Sequence, residues 1–372
     1  MPLSYKDVGV NYDELDPFKC AAMEAARQTA KNAVRLRMLE LVASRGESAY
    51  IVETDDAYYA HVEEGLGTKN LVADAMEKLT GKCFYASIAQ DTVAMIVNDM
   101  VTVGAMPVSV AMHLAVGDGA WFKNARRCME LIVGWKHACD LARCNWGGGE
   151  TPTLKGVVMP EAAVLSGSAF GIIRPKERLI RDRIEAGDAI LFIGGSGIHA
   201  NGLTLARKIA EPEGYPDRLP AGRYLDKLTD GRTYGESLLD PTPIYVELIE
   251  QCLNAGVFIH YAVNVTGHGW RKLMRSPQPF AYVIERIPKP QPVFAFMQEH
   301  GPITDLEAYA NLNMGAGFAL ILPPESVPAV ERIAADLGHT TLHAGEVEQS
   351  SERKVEILPL NLVYETTSLK LR

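Results

Sequence analysis

The chain has 372 residues, 47% of them hydrophobic and 22% charged, the balance of a globular protein with apolar residues enough for two or three domains. A formal charge of −9 argues against nucleic acid or an anionic membrane as partner, so an anionic ligand would have to be met by local donors. No apolar run approaches the ~20 residues of a membrane span, and the opening MPLSYKDVGVNYDELD lacks the basic and apolar regions of a signal peptide. The expectation is a cytoplasmic protein.

Residues 4–16 are polar, have no helical period and read as an arm or loop. Asp16 before Pro17 is a helix-start signal, and the pattern from Pro17 to Arg45 predicts one helix stopped by Gly46. Tyr50 to Val62 reads as two strands with a turn at Asp55–Asp56. Next comes EGLGTK, Glu64–Lys69, opening a helix. Amides freed by Gly65 and Gly67, the Thr68 hydroxyl and the Lys69 ammonium suit a polyphosphate. The spacing is not that of a P-loop, and a surface turn is the competing reading.

Ile88–Pro107, IAQDTVAMIVNDMVTVGAMP, predicts a helix with an apolar stripe of Val93, Ile96, Val97, Met100 and Val101. Asp91 and Asn98 share the other face, roughly 10 Å apart along the axis, with Asp99 at its margin. That face is either a solvated surface or a place for a divalent metal beside a phosphate. A strand over 108–116 carries His113, read as an interior histidine, and a helical region over 119–143 leads into CNWGGGET. There Gly147, Gly148 and Gly149 either let a ligand approach the backbone beside Glu150 and Thr151, or make a tight turn. A strand closes this half within 153–173. The charged run 174–187 divides a domain 1–174 from a domain 175–372.

The second half opens with a strand, Ala189–Ile193, then GGSGIHANG and a helix, an anion-binding arrangement to which Ser196, His199 and Asn201 add side-chain donors. Residues 211–235 read as a mobile loop, and DPT at 240–242 caps a helix. Strands are expected at 257–259, 280–284, within FALILP, and at 340–347 and 355–358. Helices fall within 288–310 and 327–337; NVTGHGW and NMGAG are loops, and the last fourteen residues form a tail. The alternation in both halves is α/β or α+β. Six cysteines without a CxxC read as reduced thiols.

In this order YKDVGV, EGLGTK, DTVAMIVNDMVTVGAMP, GGGET, GGSGIHANG, LDPTPIYV, VTGHGW and NMGAG resemble phosphoribosylformylglycinamidine cyclo-ligase, or aminoimidazole ribonucleotide synthetase, over about residues 5–347. The resemblance implies a two-domain PurM-like fold. Its N-terminal mixed sheet forms a barrel across a homodimer, and its C-terminal sheet is covered by helices. It implies ATP and Mg²⁺, with K⁺ as a further ion, and a ribonucleotide substrate. Glu64, Asp91, Asp99 and Glu150 would hold metal. Gly65, Gly67, Thr68, Lys69, Asp91, Gly148, Gly149 and Thr151 would meet the nucleotide. Gly195, Ser196, Gly197, His199, Asn201, Thr266 and Gly267 would meet the substrate, and Lys69, Asn98, His199 and His268 would act in catalysis.

The chain departs from that pattern. Glu64 stands for an aspartate, Asn264 for a histidine and His268 for a glycine. A glycine-rich segment before EGLGTK is missing, with only Arg45–Ser48 in its place. An amide cannot replace a histidine as acid or base. The resemblance implies ring closure of formylglycinamidine ribonucleotide, and these departures motivate alternatives to it. The alternatives are the same ATP activation applied to another small amide or anion, and a non-catalytic nucleotide-binding protein.

Overall fold

The computed structural model describes residues 8–9, 12–181, 183–211 and 222–369. In the first half lie α1 (Tyr12–Arg27), β1 (Leu39–Glu40), β2 (Tyr50–Glu53), β3 (Tyr58–Gly65), α2 (Lys69–Thr80), α3 (Tyr85–Val101), β4 (Met106–Val116), α4 (Ala125–Leu141), β5 (Asn145–Glu150) and β6 (Ala163–Ile173). The second half holds β7 (Ala189–Gly194), α5 (Leu203–Ala210), α6 (Tyr234–Leu238), α7 (Val246–Asn254), β8 (Tyr261–Asn264), β9 (Phe280–Ile284) and α8 (Pro292–His300). It ends with α9 (Asp305–Asn311), β10 (Ala316–Leu322), α10 (Val327–Asp336), β11 (Thr341–Gln349), β12 (Lys354–Ile357) and β13 (Leu362–Glu365).

Each half owns one mixed sheet. The first has the order β1-β2-β3-β6-β4-β5, parallel only between β4 and β5. The second has the order β13-β12-β9-β11-β7-β10-β8, parallel only between β12 and β9. β10, AGFALIL, is buried along its whole length, as a continuous apolar run between covered faces should be. β6 alternates instead: one face packs on α3, while Val164 and Phe170 on the other stay 48% and 44% exposed.

α3 is the central element. It packs on β3, β4, β6 and α4 within its own half and on α7 and β8 of the other. Its apolar stripe, Val93, Ile96, Val97, Met100 and Val101, is fully buried. α4 approaches it closely at Gly134, where a Cβ would lie 2.6 Å from the backbone of Ala86.

Several boundaries differ from the sequence reading. The helix expected over 17–45 is α1 alone, beginning before Pro17 and ending at Arg27; a 3₁₀ turn Ala30–Leu36 and strand β1 follow. α1 lies mostly on the surface, with Phe18 exposed, so little packing extends it, and Arg37 at φ 57° closes the turn. GGGE is an exposed edge strand, not a loop, because it pairs in parallel with β4. Within the loop expected over 211–235, residues 222–235 are packed: Tyr224 and Tyr234 are fully buried, and Thr233 and Glu236 form a capping box on α6. Residues 212–221 lie outside the described residues, as do 1–7 and 10–11 of the expected arm. The strand expected at 257–259 is β8, a few residues later, and the expected tail contains β13.

Candidate functional site

The polar face of α3 is buried against the second half. Asp91 Oδ1 accepts from the Thr242 backbone N–H at 2.9 Å and from Thr242 Oγ1 at 2.5 Å. Its Oδ2 lies 2.7 Å from Lys69 Nζ, and Lys69 Nζ also donates to the Asp240 carbonyl at 2.8 Å. Both side chains are 0% exposed. Burial raises the Asp91 carboxyl, against the pull of Lys69 and Thr242. One heptad later, Asn98 Nδ2 donates to the Pro243 carbonyl at 2.8 Å and Asn98 Oδ1 accepts from Tyr245 N–H at 2.9 Å. The helical repeat thus aligns Asp91 and Asn98 on one extended segment, 240–245. Lys69, Asp91 and Asn98, expected at a nucleotide or metal, form a clasp between the halves, with their polar atoms spent on protein partners.

The other acids on this side open into a cavity of about 360 Å³. Glu64 at the end of β3 and Asp99 on α3 line it. Thr266, Gly267, His268, Lys272 and Arg275 line it as well, together with Lys19, Cys20 and Met23 of α1 and with Gly46 and Glu47. Asn264 Nδ2 donates to Asp99 Oδ1 at 2.7 Å. Burial, then the Asp99 charge, pushes Glu64 up to about 7, while Lys272 opposes. Burial, then Arg275, pulls Lys272 down to about 8, while Asp99 and Glu64 oppose. His268, at φ 68°, is held at about 2, first by burial and then by Arg271 and Lys272. It is neutral at any ordinary pH.

A second cavity of about 400 Å³ adjoins the first under α1, sharing Cys20, Met23 and Glu47. Its walls are mainly apolar, among them Leu41, Val42, Ile51, Val103 and Ile180. The short segment that stands for the missing glycine-rich stretch contributes to both, through Arg45 and Glu47 in one and Gly46 and Glu47 in the other.

The remaining expected residues lie elsewhere. Of the loop 194–202 only Asn201 reaches the charged cavity. Ser196 Oγ donates to the Pro241 carbonyl at 2.7 Å, and Gly195 lines a separate cavity of about 320 Å³ beside Lys289 and Gln291. His199 is buried at φ 61°, accepts from the Ser196 N–H at 3.3 Å, and is lowered to about 3, mainly by burial. Asn313 binds the Gly197 carbonyl at 2.8 Å. Gly65 pairs with Ser166 in the sheet, Gly67 turns at φ 74°, and the Thr68 hydroxyl meets Thr204 at 3.3 Å; none of the three lines the charged cavity. Gly148, Gly149, Glu150 and Thr151 belong to the exposed edge at β5, with Glu150 opposite His113.

The four carboxylates expected to share metal are therefore not gathered. Glu64 and Asp99 share the cavity, Asp91 is buried on Lys69 and Thr242, and Glu150 is on the outer edge. Among the described residues no group of three or more His, Cys, Asp or Glu side chains is arranged to hold a metal ion. Two carboxylates in one cavity, Glu64 raised by burial and then by the Asp99 charge, still suit Mg²⁺, which keeps several waters and needs only one or two such ligands. Lys19, Glu47, Lys272 and Arg275 were not foreseen from the sequence. The run WRKLMRS gives no sign of which side of its turn faces a ligand.

A family model described as AIR synthase related protein, N-terminal domain, matches residues 46–173, and one described as AIR synthase related protein, C-terminal domain, matches 185–357. The chain is 31% identical over 351 residues to the phosphoribosylformylglycinamidine cyclo-ligase of Methanocaldococcus jannaschii, covering 94% of this chain and 93% of that one. It is 28% identical over 355 residues to the enzyme of that name from Methanothermobacter thermautotrophicus, covering 95% and 97%. Among solved structures, AaThiL complexed with AMPPCP and TMP matches with a TM-score of 0.60 at 15% identity over 94% of this chain and 95% of that one. T. maritima PurL complexed with FGAR matches at 0.59 and 15%, covering 91% of this chain and 50% of that one. At such identities these structures speak for a shared fold.

Proposed function

The chain belongs to the AIR synthase related protein family, and from that premise we propose that it is an ATP-dependent cyclo-ligase. It would close formylglycinamidine ribonucleotide to aminoimidazole ribonucleotide, releasing ADP and phosphate. The observation that carries this reading is the pair of adjoining cavities under α1, one apolar and one charged. Together they suit a nucleoside triphosphate, with the base among Leu41, Ile51 and Val103 and the phosphates among Glu64, Asp99, Lys272 and Arg275. Structural neighbours solved with AMPPCP and with ATP support ATP use.

The γ-phosphoryl group would pass to the formamide oxygen, and an amidine nitrogen would then attack that carbon and expel phosphate. A Mg²⁺ held by Glu64 and Asp99 would neutralise charge on the transferred group. The chain supplies position and field: α1 shields the cavity, and Asn264 orients Asp99. Neither His199 nor His268 would act as an imidazolium, since burial keeps both neutral.

We also propose the division into domains 1–174 and 175–372, and a homodimer built on the exposed face of β6, where Phe170 stacks on Tyr59 at 5.9 Å. No helix among the described residues is long and apolar enough to cross a membrane.

A second reading rests on Asn264. Its amide is spent on Asp99 at a position where the resembling family carries histidine, which favours a relative that activates a different amide. The test is purified protein with formylglycinamidine ribonucleotide, ATP and Mg²⁺. Phosphate release coupled to aminoimidazole formation supports the first reading. ATP hydrolysis only with another amide supports the second, and ATP binding without any turnover leaves neither standing.

A further inference from the structure

The charged cavity contains two cations with unused hydrogen-bonding capacity. Lys272 is 3% exposed yet lines the cavity. Its Nζ donates to Thr266 Oγ1 at 2.7 Å, the one hydrogen bond this ammonium makes among the described residues, which leaves two N–H groups. Arg275 lines the same cavity. One of its terminal nitrogens donates to Ser48 Oγ at 2.8 Å, while its buried Nε has no hydrogen-bond partner among the described residues. Both belong to the 3₁₀ segment Gly269–Arg275 that follows the TGHG turn. The winding is interrupted by a kink at Met274, and both side chains line the same cavity.

Glu64 and Asp99 line the same cavity, and their carboxylates alone would repel a phosphate. The cation expected from the sequence at the nucleotide, Lys69, is closed off: it is fully buried on Asp91 and the Asp240 carbonyl and lines no part of the cavity. Burying an ammonium in this way is costly unless an opposite charge meets it. Asp99, Glu64 and Glu47 act on the Lys272 charge without a hydrogen bond to it, and Thr266 fills only one of its three donor positions, so a ligand oxygen can take the N–H groups that remain.

We propose that Lys272, with Arg275 beside it, grips the terminal phosphoryl oxygens of the bound nucleoside triphosphate, a role the fold denies to Lys69. This rests on the reading above that the cavity takes ATP. The terminal phosphoryl is favoured over a ribonucleotide monophosphate because the carboxylates in the same cavity suit the metal that accompanies a triphosphate.

The test is calorimetric binding of ATP·Mg, AMP and formylglycinamidine ribonucleotide to wild type, K272M and K272R. Loss of a charge-assisted bond should weaken ATP·Mg binding by about 10- to 100-fold in K272M. K272R should retain part of it, and AMP and ribonucleotide binding should stay within about twofold of wild type. Unchanged ATP·Mg affinity in K272M, or a loss confined to the ribonucleotide, overturns the proposal while leaving the cyclo-ligase reading intact. A wild type that binds no ATP overturns both. Should K272M fail to fold, acylation of Lys272 in the wild type decides. Slowing by ATP·Mg but not by AMP supports the assignment, and equal labelling in all three conditions overturns it.

Discussion

Asp91 and Lys69 are the residues whose surroundings most change their meaning. Each could serve a phosphate, but they are spent on each other and on Thr242 and the Asp240 carbonyl. Lys69→Met should leave a buried carboxylate without its counter-charge and destabilise by about 3–5 kcal/mol, and an added Asp91→Leu should restore part of the loss. Thermal melting of the two variants checks this; a single variant as stable as wild type would show that the pair carries no structural load. His199 and His268 give the pH dependence. Both are depressed by burial, to about 3 and about 2, against an ordinary value of 6.5. The unfolded chain takes up protons below about pH 6.5 that the fold refuses, so this stability is present above that pH and is lost as the pH falls. Melting temperatures should drop between about pH 7 and pH 4, and more gently in His199→Asn. A slope unchanged in His199→Asn would show that His199 titrates freely. The family resemblance sets Glu64 and Asp99 at a metal, Thr266 at the substrate and His268 in catalysis, and the fold brings all four to one cavity. The sequence could not mark Lys272 or Arg275, because which side of a short 3₁₀ turn meets a cavity is decided by what packs against it.

At the scale of elements, α3 was legible because its apolar stripe, Val93 to Val101, repeats over about two and a half turns, and β4 and β10 because their runs are apolar and bounded. What could not be read was the destination of its polar face: a seven-residue spacing fits a phosphate site and a clasp on an extended segment equally well. The first helix was drawn too long because periodicity continues past Arg27 while the packing does not. GGGET looked like a loop because its glycines carry no side-chain pattern, and pairing with β4 is a tertiary fact. The close approach of α3 and α4 gives an element-scale prediction. Gly134→Ala would set a methyl 2.6 Å from the Ala86 backbone, so the helices must part, at about 1–3 kcal/mol. A melting temperature equal to wild type would mean that the helices separate freely.

For the whole molecule, two sheets meet through α3, and the chemistry is assigned to the junction rather than to either half. The charged cavity is lined from β3 and α3, from the turn after β8 and from α1. That arrangement accounts for motifs so widely separated in the chain. The uncovered face of β6 predicts self-association: Phe170→Glu should convert a dimer to a monomer in sedimentation velocity, and a wild type that sediments as a monomer would contradict the proposed dimer. The central claim is that Glu64 and Asp99 face the phosphates of ATP in the charged cavity of a cyclo-ligase. Its most direct test is the initial rate of aminoimidazole ribonucleotide formation from formylglycinamidine ribonucleotide and ATP·Mg by the wild type and by Asp99→Asn at matched folding. The account predicts turnover by the wild type and a loss of at least about 100-fold in the variant; equal rates in the two proteins would contradict it.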